Sequence, residues 1–419
     1  MQKKLGLMRF EVAVSFLAMT LLVPEFGRAA DGPPPPSATL VRSWAVAQGN
    51  GNEYLVVWTR EAEQGDADIV GVRFADGKQI DPAPVVLVSG EGNQYNPTVG
   101  YGWLEDGFYV YRLVWEDDST GFRRVAQKTI SSTPGGQMVF GPDEMLEIQI
   151  PDVDLEEFHP DIDCTAYVCL VSTIVRKQWD GSDFLVMRQA EPFLGGSIPF
   201  LATFREYSRR YLYEGPKVAI ANDGAALVTY HASWHPRFGV ENRIQRFDIR
   251  ANRFDFPDVY DWTSWKRDKH SYGIARRSPE RVEVVYETSE PKLWRKGNPP
   301  SGFTALAQFD SSGVMLGADG LSPQNSGEVE MRPAISRKTR LLEQHGSPIY
   351  HWSEWKSGLH SRPTYMTKNF ETSSHSIFHQ PASAGSGAVL VWGLAQWPPG
   401  TDGVEVRVNW QGSSSIFSF

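Results

Sequence analysis

Short apolar stretches recur along the chain at nearly constant intervals, each framed by turn-forming or charged residues. The first, YLVVW, lies between a Gly/Asn turn and a charged loop. Seven such stretches read YLVVW, YRLVW, VCLVS, ALVTY, VEVVY, SPIYHW and AVLVW and end at residues 58, 115, 172, 230, 286, 352 and 392. The mean spacing is roughly 56 residues, and self-similarity at such a period is typical of a repeat architecture.

Further strand-like segments accompany each apolar stretch. Segments such as DIVGVRF (68–74) and ENRIQRFDI (241–249) follow it, and others such as PVVLVSG (84–90) close the unit. A Pro often precedes the apolar stretch, and because Pro is tolerated at the start of a strand but not in its middle, we expect it to mark the first strand. These prolines are Pro97, Pro160, Pro216, Pro333 and Pro381.

Four short strands in each of seven units predict an all-β fold, a seven-bladed β-propeller of four-stranded antiparallel blades. The continuous apolar runs fit second strands that are buried on both faces between neighbouring blades. A six-bladed propeller and tandem β-sandwiches are the alternatives. We expect one propeller domain over residues 39–419, with repeats starting near 39, 97, 160, 216, 271, 333 and 381. Residues 39–46 would be the first strand of blade 1 or a clasp on the last blade, and residues 413–419 the last strand.

The amino terminus has the pattern of a secretory signal peptide. Lys3, Lys4 and Arg9 precede an apolar run that ends near Val23, and small residues follow. Cleavage after Ala29 would remove residues 1–29 and leave a stiff Pro-rich lead-in at 30–38. The sequence therefore predicts a secreted or periplasmic protein without a transmembrane segment after signal removal, since the apolar run is shorter than the roughly 20 residues that span a bilayer.

The net charge and the aromatic content limit the classes of partner that the chain is expected to bind. The formal net charge is −9, and loss of the basic signal segment makes it more negative. An acidic chain is a poor general partner for nucleic acid or anionic membrane. Aromatic residues make up 12% of the chain, including 14 Trp. This content indicates a packed β core, an aromatic ligand surface, or both.

The only two cysteines, Cys164 and Cys169, flank the residues TAYV. A tight hairpin of this length brings two Cβ atoms within bridging distance. Because disulfides form and persist in exported proteins, we expect a bridge, with two free thiols as the alternative.

The loops from the second to the third strand of each blade, the B–C loops, should all emerge on one face, which we call the B–C rim. Large apolar groups on polar loops point to binding, since indole faces stack on sugar rings and anchor protein partners. Arg176 and Arg295 lie in the same loops as some of the tryptophans or next to them. The alternative is that each Trp folds back on its own loop or the next blade. The B–C loop tryptophans are Trp179, Trp234, Trp294, Trp355 and Trp397.

Catalysis on this rim is a separate hypothesis. The segment YHASWHPR places Tyr230, His231, His235 and Arg237 together, and these groups could serve as acid, base and charge neutraliser in polysaccharide cleavage. Several rim acids could supply a hydrolase pair, but a solvated acidic face explains them as well. The sequence contains no HExxH, GxSxG, P-loop or GxGxxG motif. We expect no cofactor and no metal centre, and assign no position to a structural calcium ion.

The segments GNEYLVVW, DIVGVRF with ADG, VVLVSG and NPTVGY resemble the repeats of exported bacterial propellers related to the sialidase-like group. The resemblance is closest over residues 50–130. Every unit lacks the SxDxGxTW turn, the Asp-box of sialidase repeats, so no sialidase catalytic residue carries over. The resemblance implies the fold and export and is silent on activity.

Three functional hypotheses follow. The first is a non-catalytic exported propeller that recognises a glycan or a protein through the Trp-bearing B–C loops. The second is a polysaccharide lyase or glycoside hydrolase that acts on the same face. The third is a rigid scaffold for an extracellular or envelope protein complex.

Overall fold

A computed structural model describes most of the chain from residue 40 onward, in segments. None of these residues lies in a helix, and accordingly none belongs to a helix that could cross a membrane. The predicted signal peptide and Pro-rich lead-in lie outside the described residues. The described residues are 40–49, 52–61, 66–105, 108–132, 136–146, 155–165, 168–177, 183–190, 201–207, 211–212, 215–222, 224–233, 241–255, 268–289, 303–320, 328–335, 350–356, 364–367, 370–372, 382–384, 389–396, 400–411 and 413–419.

The described strands form seven antiparallel sheets in chain order, and the first three sheets span residues 40 to 207. Sheet 1 contains β1 (Leu40–Gln48), β2 (Glu53–Glu61), β3 (Ala67–Ala75), β4 (Lys78–Gln79) and β5 (Val85–Val88). Sheet 2 contains β6 (Gln94–Glu105), β7 (Phe108–Asp117), β8 (Arg124–Ser132), β9 (Met138–Phe140) and β10 (Glu144–Met145). Sheet 3 contains β11 (Leu155–Cys164), β12 (Cys169–Lys177), β13 (Asp183–Ala190) and β14 (Leu201–Tyr207).

The remaining four sheets repeat the same meander. Sheet 4 contains β15 (Tyr211–Leu212), β16 (Lys217–Asn222), β17 (Ala225–Ser233), β18 (Glu241–Asp248) and β19 (Arg253–Phe254). Sheet 5 contains β20 (Asp268–Ser278), β21 (Arg281–Ser289), β22 (Phe303–Asp310) and β23 (Met315–Gly320). Sheet 6 contains β24 (Glu328–Ile335), β25 (Tyr350–Lys356), β26 (Thr364–Thr367) and β27 (Phe370–Thr372). Sheet 7 contains β28 (Ala382–Ala384), β29 (Val389–Gln396), β30 (Gly400–Trp410) and β31 (Ser413–Ser418).

The sheets are arranged in a ring. The first strand of each sheet, or β16 in sheet 4, contacts its counterparts in the order β1, β6, β11, β16, β20, β24 and β28, and β28 contacts β1. A closed ring of sheets that meet through their first strands is the architecture of a β-propeller, with the first strands innermost and each sheet a blade. The predicted all-β propeller is therefore confirmed.

Burial on both faces explains the apolar runs of the second strands. Alternate residues of a strand point to opposite faces of the sheet. In β2, Val56 and Trp58 belong to an apolar cluster shared with sheet 7, whereas Leu55 and Val57 belong to a cluster shared with sheet 2. Each position in this run therefore faces a neighbouring blade, and a polar residue at any of them would be buried against apolar side chains.

The ring closes by side-chain packing rather than by a shared strand. The strand β1 pairs with β2, so residues 40–48 form the first strand of sheet 1, and β31 pairs with β30 in sheet 7. The seam is filled by aromatic side chains: the ring centroid of Phe417 lies 5.1 Å from that of Phe74, and that of Phe419 lies 5.7 Å from that of Trp58. Within the described residues, no strand of one end of the chain joins the sheet of the other.

Three of the predicted strand-start prolines lie at β-bulges inside their strands, whereas Pro216 directly precedes β16, as predicted, and Pro381 lies outside the described residues. Pro97, Pro160 and Pro333 lie inside β6, β11 and β24, so the expectation that Pro begins the first strand is wrong at these positions. A bulge leaves one residue unpaired, so the missing N–H of Pro costs no ladder hydrogen bond there. The register shifts fall between Tyr95 and Thr98, between Phe158 and Asp161, and between Met331 and Ala334.

The predicted disulfide between Cys164 and Cys169 is confirmed. The two residues pair directly at the ends of β11 and β12, with 4.1 Å between their Cα atoms. The bridge therefore closes the hairpin on the face opposite the B–C rim. A Cβ added at Gly100 of the neighbouring blade would lie 2.8 Å from the Cys164 sulfur, so the bridge also fills space between sheets 2 and 3.

A buried polar cluster joins sheets 1 and 2 on that same opposite face. Glu53 is 3% exposed, and its Oε1 accepts hydrogen bonds from the Ser132 hydroxyl at 3.0 Å and the Tyr111 hydroxyl at 3.3 Å. Burial raises the pKa of the Glu53 carboxyl to about 7, although these hydrogen bonds and the charge of Arg73 act in the other direction. Arg73 itself is held by Asp81, with 2.6 Å between Nη2 and Oδ1.

Candidate ligand-binding rim

Most of the predicted rim residues lie outside the described residues. They are Trp179, Trp234, Trp294, Trp397, His235, Arg237 and Arg295. Trp355 is placed in β25, where its backbone pairs with Val329. The aromatic platform therefore stays a prediction.

Two of the candidate catalytic residues lie within the described part of the chain, and both are buried. Tyr230 and His231 are consecutive residues of β17, and both side chains have no exposed surface. Tyr230 packs in an apolar cluster with Phe158 and Ile174 of sheet 3. Neither side chain is open to solvent at the B–C rim, and a catalytic role for them stays a prediction.

Arg176, a predicted ligand-binding residue, lies at the rim end of β12. Its Nε and Nη2 donate to the two carboxylate oxygens of Asp183, at 2.7 and 3.0 Å, and its guanidinium lies 5.0 Å above the Phe158 ring. The Arg176 side chain is 37% exposed, whereas Asp183 is fully buried. The ion pair and the stacking therefore hold a guanidinium at the surface while its counter-ion is hidden.

Beside Arg176, the bulges of β6 and β11 present two residues in the left-handed backbone region. The φ angles are 46° at Asn96 and 55° at His159, each directly before a Pro. A β-bulge re-aims the side chain at its extra residue, and such bulges recur next to functional sites. The first strands enter their blades at the B–C rim, so both residues lie at this rim.

One buried carboxylate joins the two bulges. Glu116 is fully buried near the end of β7, and its Oε1 accepts hydrogen bonds from Asn96 Nδ2 and from the backbone N–H of His159, both at 2.7 Å. The His159 Nδ1 lies 3.8 Å from the same oxygen, and the His159 side chain is 40% exposed. Glu116 therefore holds the backbone of the His159 bulge, which carries a partly exposed imidazole at the boundary of sheets 2 and 3.

The second oxygen of Glu116 has a different environment. Oε2 is buried and accepts no hydrogen bond from the described residues. The Nη1 of Arg123 lies 3.7 Å away, which is ion-pair distance but too long for a hydrogen bond, and the Arg123 side chain is 52% exposed. The pair thus combines the exposed guanidinium of Arg123 with a buried carboxylate oxygen of Glu116 that accepts no hydrogen bond from the described residues.

Sheet 4 packs closely against His159. A Cβ added at Gly215 would lie 2.7 Å from the Cβ of His159 and 3.3 Å from its carbonyl oxygen. Gly215 directly precedes Pro216. In each of sheets 2, 3 and 4, the residue at this place, Asn96, His159 or Gly215, is therefore followed by a Pro. The absence of a side chain at Gly215 leaves the space that the His159 bulge occupies.

Three further described carboxylates of this part of the rim, those of Asp117, Asp118 and Glu157, accept hydrogen bonds from the protein. Asp117 accepts from the Ser119 N–H at 2.9 Å, and Asp118 accepts from the Asn93 N–H at 2.6 Å. Glu157 forms a fully buried ion pair with Arg188, with 2.8 Å between Oε2 and Nη2. Burial raises the pKa of Glu157, and the charge of Arg188 opposes that rise. These acids stabilise loops and blade contacts.

The sequence pattern did not identify Glu116, His159 or Asn96 as site residues. The signal lies in the dipeptides Asn96-Pro97 and His159-Pro160, from which the sequence pattern predicts only strand starts. Among the described residues, no group of three or more His, Cys, Asp or Glu is placed to hold a metal ion.

No protein-family model and no curated protein matches the sequence. The structure is similar to a protein of unknown function from Dyadobacter fermentans at 12% identity and a TM-score of 0.46, covering 77% of this chain and 92% of that one. An α-L-arabinanase from Penicillium chrysogenum, complexed with arabinobiose, gives 11% identity, a TM-score of 0.45 and coverage of 78% and 93%. The β-propeller domain of the Trilobed protease from Pyrococcus furiosus gives 8%, 0.46, 91% and 95%. Similarities this low assign no activity to the chain.

Proposed function

We propose that the chain is an exported binding propeller that recognises a glycan through its B–C rim. The observation that carries this proposal is the division of charge at the rim of sheets 2 and 3. The exposed groups there include the hydrogen-bond donors Arg123, Arg176 and His159, whereas Glu116, Glu157 and Asp183 beside them are buried. A surface with several exposed donors suits a ligand rich in oxygen acceptors.

The same division favours binding over hydrolysis. Glycoside hydrolysis needs two carboxyl groups that face each other across one bond, of which one carries a proton and the other is free to attack or to activate water. Asp117, Asp118 and Asp183 accept hydrogen bonds from neighbouring protein groups, and the Asp183 side chain is fully buried. Glu157 faces a buried guanidinium. Within the described part of the rim, these acids therefore support structure.

A glycan fits the rest of the rim better than a protein partner does. Hydroxyl and ring oxygens accept from guanidinium and imidazole groups, while the C–H faces of sugar rings stack on indoles. The tryptophans predicted for the neighbouring B–C loops would supply those stacking faces. The predicted signal peptide would place the chain outside the cytoplasm, in contact with cell-wall or environmental polysaccharides.

The test combines binding and product measurements on the purified mature chain. Calorimetric titration with soluble neutral and acidic polysaccharides reports affinity, while reducing-end assays and absorbance near 235 nm report hydrolysis and elimination. We expect binding without products, weakened by Trp234→Ala or Trp294→Ala and unchanged by Arg250→Ala, which alters an exposed residue on the opposite face. New reducing or unsaturated ends would replace the binding function with an enzymatic one.

A further inference from the structure

We propose that the outer edge of blade 7, the strand β31, joins two copies of the chain through an antiparallel β-sheet contact. The strand β31 (Ser413–Ser418) is the outermost strand of sheet 7, and among the described strands β30 is its one partner. An uncovered strand edge offers a row of backbone N–H and C=O groups to another chain. This surface lies apart from the B–C rim, and the inference does not rest on the proposed glycan binding.

The hydrogen-bond pattern shows which backbone groups of β31 face outward. Phe419 and Val404 exchange two backbone hydrogen bonds, at 2.9 and 3.0 Å. In an antiparallel pair of strands, residues that bond to the partner strand alternate with residues whose backbone groups point away from it. Counting back from Phe419, the N–H and C=O groups of Ser414, Ile416 and Ser418 therefore point away from β30.

The edge is exposed and lacks the usual protection against strand pairing. All residues of β31 except Phe417 are exposed, and Ile416 is 52% exposed. Proteins protect edge strands by short length, charged residues or Pro. The other described outer strands are short, as β5 is, or carry a charge, such as Arg205 in β14 and Asp319 in β23. The strand β31 has six residues and contains no charged residue and no Pro, which indicates that another strand covers it.

The edge is complementary to a second copy of itself. When two antiparallel copies of β31 meet with Ile416 opposite Ile416, Ser414 of each copy lies opposite Ser418 of the other. Every outward-directed N–H and C=O group of the two strands then faces a counterpart. A shift by two residues leaves one of the three outward-facing residues without a counterpart in the other β31. The contact is therefore isologous, with the two-fold axis between the two Ile416 residues.

Charge also favours a second copy as the occupant. The formal net charge of the chain is −9, so two copies repel each other in general and a contact between them needs a surface without acidic residues. Residues 413–419 contain no charged side chain. In the proposed register the two Ile416 side chains lie side by side on one face of the combined sheet. Each would cover part of the apolar surface that the other exposes in the monomer.

The pairing fixes the relative orientation of the two propellers. As the fourth strand of its meander, β31 runs toward the B–C rim of its own copy. Because the two strands are antiparallel, the second copy runs in the opposite direction. The two B–C rims of the dimer therefore point in opposite directions, with one rim exposed on each side.

The first measurement is sedimentation velocity of the purified mature chain from about 1 to about 500 μM, a range that covers the affinities expected of small interfaces. We expect the sedimentation coefficient to rise from the monomer to the dimer value. Ile416→Lys places two like charges opposite each other, and Ser414→Pro removes outward donors without loss of a bond to β30. Each should weaken the dimer about ten-fold or more. Val139→Lys is the matched control on the outer strand β9, where Val139 is 56% exposed, and should leave the dimer unchanged.

Single introduced cysteines test the register. The only two cysteines, Cys164 and Cys169, are bridged to each other, so a new thiol has no partner within its own chain. Ile416→Cys should give a disulfide-linked dimer under mild oxidation, because the Cα atoms of a hydrogen-bonded pair are about 5.5 Å apart. Ser414→Cys should not link to itself, because the two equivalent residues are four positions from alignment, about 14 Å. A mixture of Ser414→Cys and Ser418→Cys should cross-link.

The other outcomes overturn the proposal in distinguishable ways. A wild-type chain that stays monomeric, or a dimer that survives both Ile416→Lys and Ser414→Pro, would show that this edge does not join two copies. Cross-linking of Ser414→Cys to itself in preference to Ile416→Cys would overturn the register. The synthetic peptide SSSIFS is the probe for another occupant: its binding to a chain that stays monomeric would assign the edge to a strand of a different protein. The cysteine variants keep the edge uncharged, so they decide the outcome even where a Lys or Pro variant is unstable.

Discussion

Replacement of Glu53 by Gln should abolish a pH dependence of stability that originates between the first two blades. The Glu53 carboxyl has a pKa of about 7 in the folded protein, against an ordinary value of 4.5. The folded state therefore holds this proton more tightly than the unfolded state does. Between pH 4.5 and 7 only the unfolded chain loses the proton, so the contribution of this group to stability falls as pH rises.

The magnitude follows from the size of the shift. One pKa unit corresponds to about 1.36 kcal/mol, so a rise from 4.5 to about 7 amounts to about 3 kcal/mol of stability that is present below pH 4.5 and lost above pH 7. Gln carries no titratable proton and can still accept from Ser132 and Tyr111 through its carbonyl oxygen. We therefore expect Glu53→Gln to equal the wild type at pH 4.5 and to exceed it by about 3 kcal/mol at pH 8.

Urea unfolding of both proteins at half-unit steps from pH 4.5 to 8.5, followed by Trp fluorescence, measures this difference. Subtracting the two curves cancels every group that titrates equally in both proteins. Glu280→Gln makes the same chemical change at an exposed turn residue and should give a flat difference curve. The assigned protonation of this cluster would be refuted by a difference in the free energy of unfolding that does not change with pH. It would also be refuted if the wild type became more stable relative to Glu53→Gln as pH rises.

Two further predictions concern contacts inside blade 3. Replacing both Cys164 and Cys169 by Ser should lower the free energy of unfolding by about 2 kcal/mol, because the bridge closes only a short loop, and reduction of the wild type should reproduce the loss in thermal unfolding. Arg188→Met should cost about 3–5 kcal/mol, because Glu157 stays buried without its counter-ion, and adding Glu157→Leu should recover most of it. A double variant as unstable as Arg188→Met alone would contradict this account.

The apolar periodicity was sufficient to predict the blades. A run such as Leu55 to Trp58 admits few structures other than a strand covered on both sides, and both apolar clusters around β2 bear this out. The disulfide was also predictable, because its two cysteines are close in sequence and their pairing needs only a hairpin. The blades and the disulfide are predictable because they depend on residues that are close in sequence, and because the same pattern recurs in each repeat.

The inner rim could not be predicted in the same way, because its contacts join different blades. Glu116 touches His159 across more than forty positions of sequence, and nothing near Glu116 indicates that partner. The dipeptides Asn96-Pro97 and His159-Pro160 were visible, but both a strand start and a bulge tolerate Pro. Only the register of the paired strands shows that the chain bulges there and turns these residues into the left-handed region.

The packed seam between the first and last blades has a consequence for synthesis. Every sheet is built from one contiguous segment, so each blade can form as soon as its own strands have emerged, and blades two to six find their neighbours in order. Blade one must wait for strands that are more than three hundred residues away in the chain. Until the strands of sheet 7 have formed, the side of β2 that carries Val56 and Trp58 has no cover. This open apolar surface is where a nascent chain would recruit a chaperone or associate with another copy.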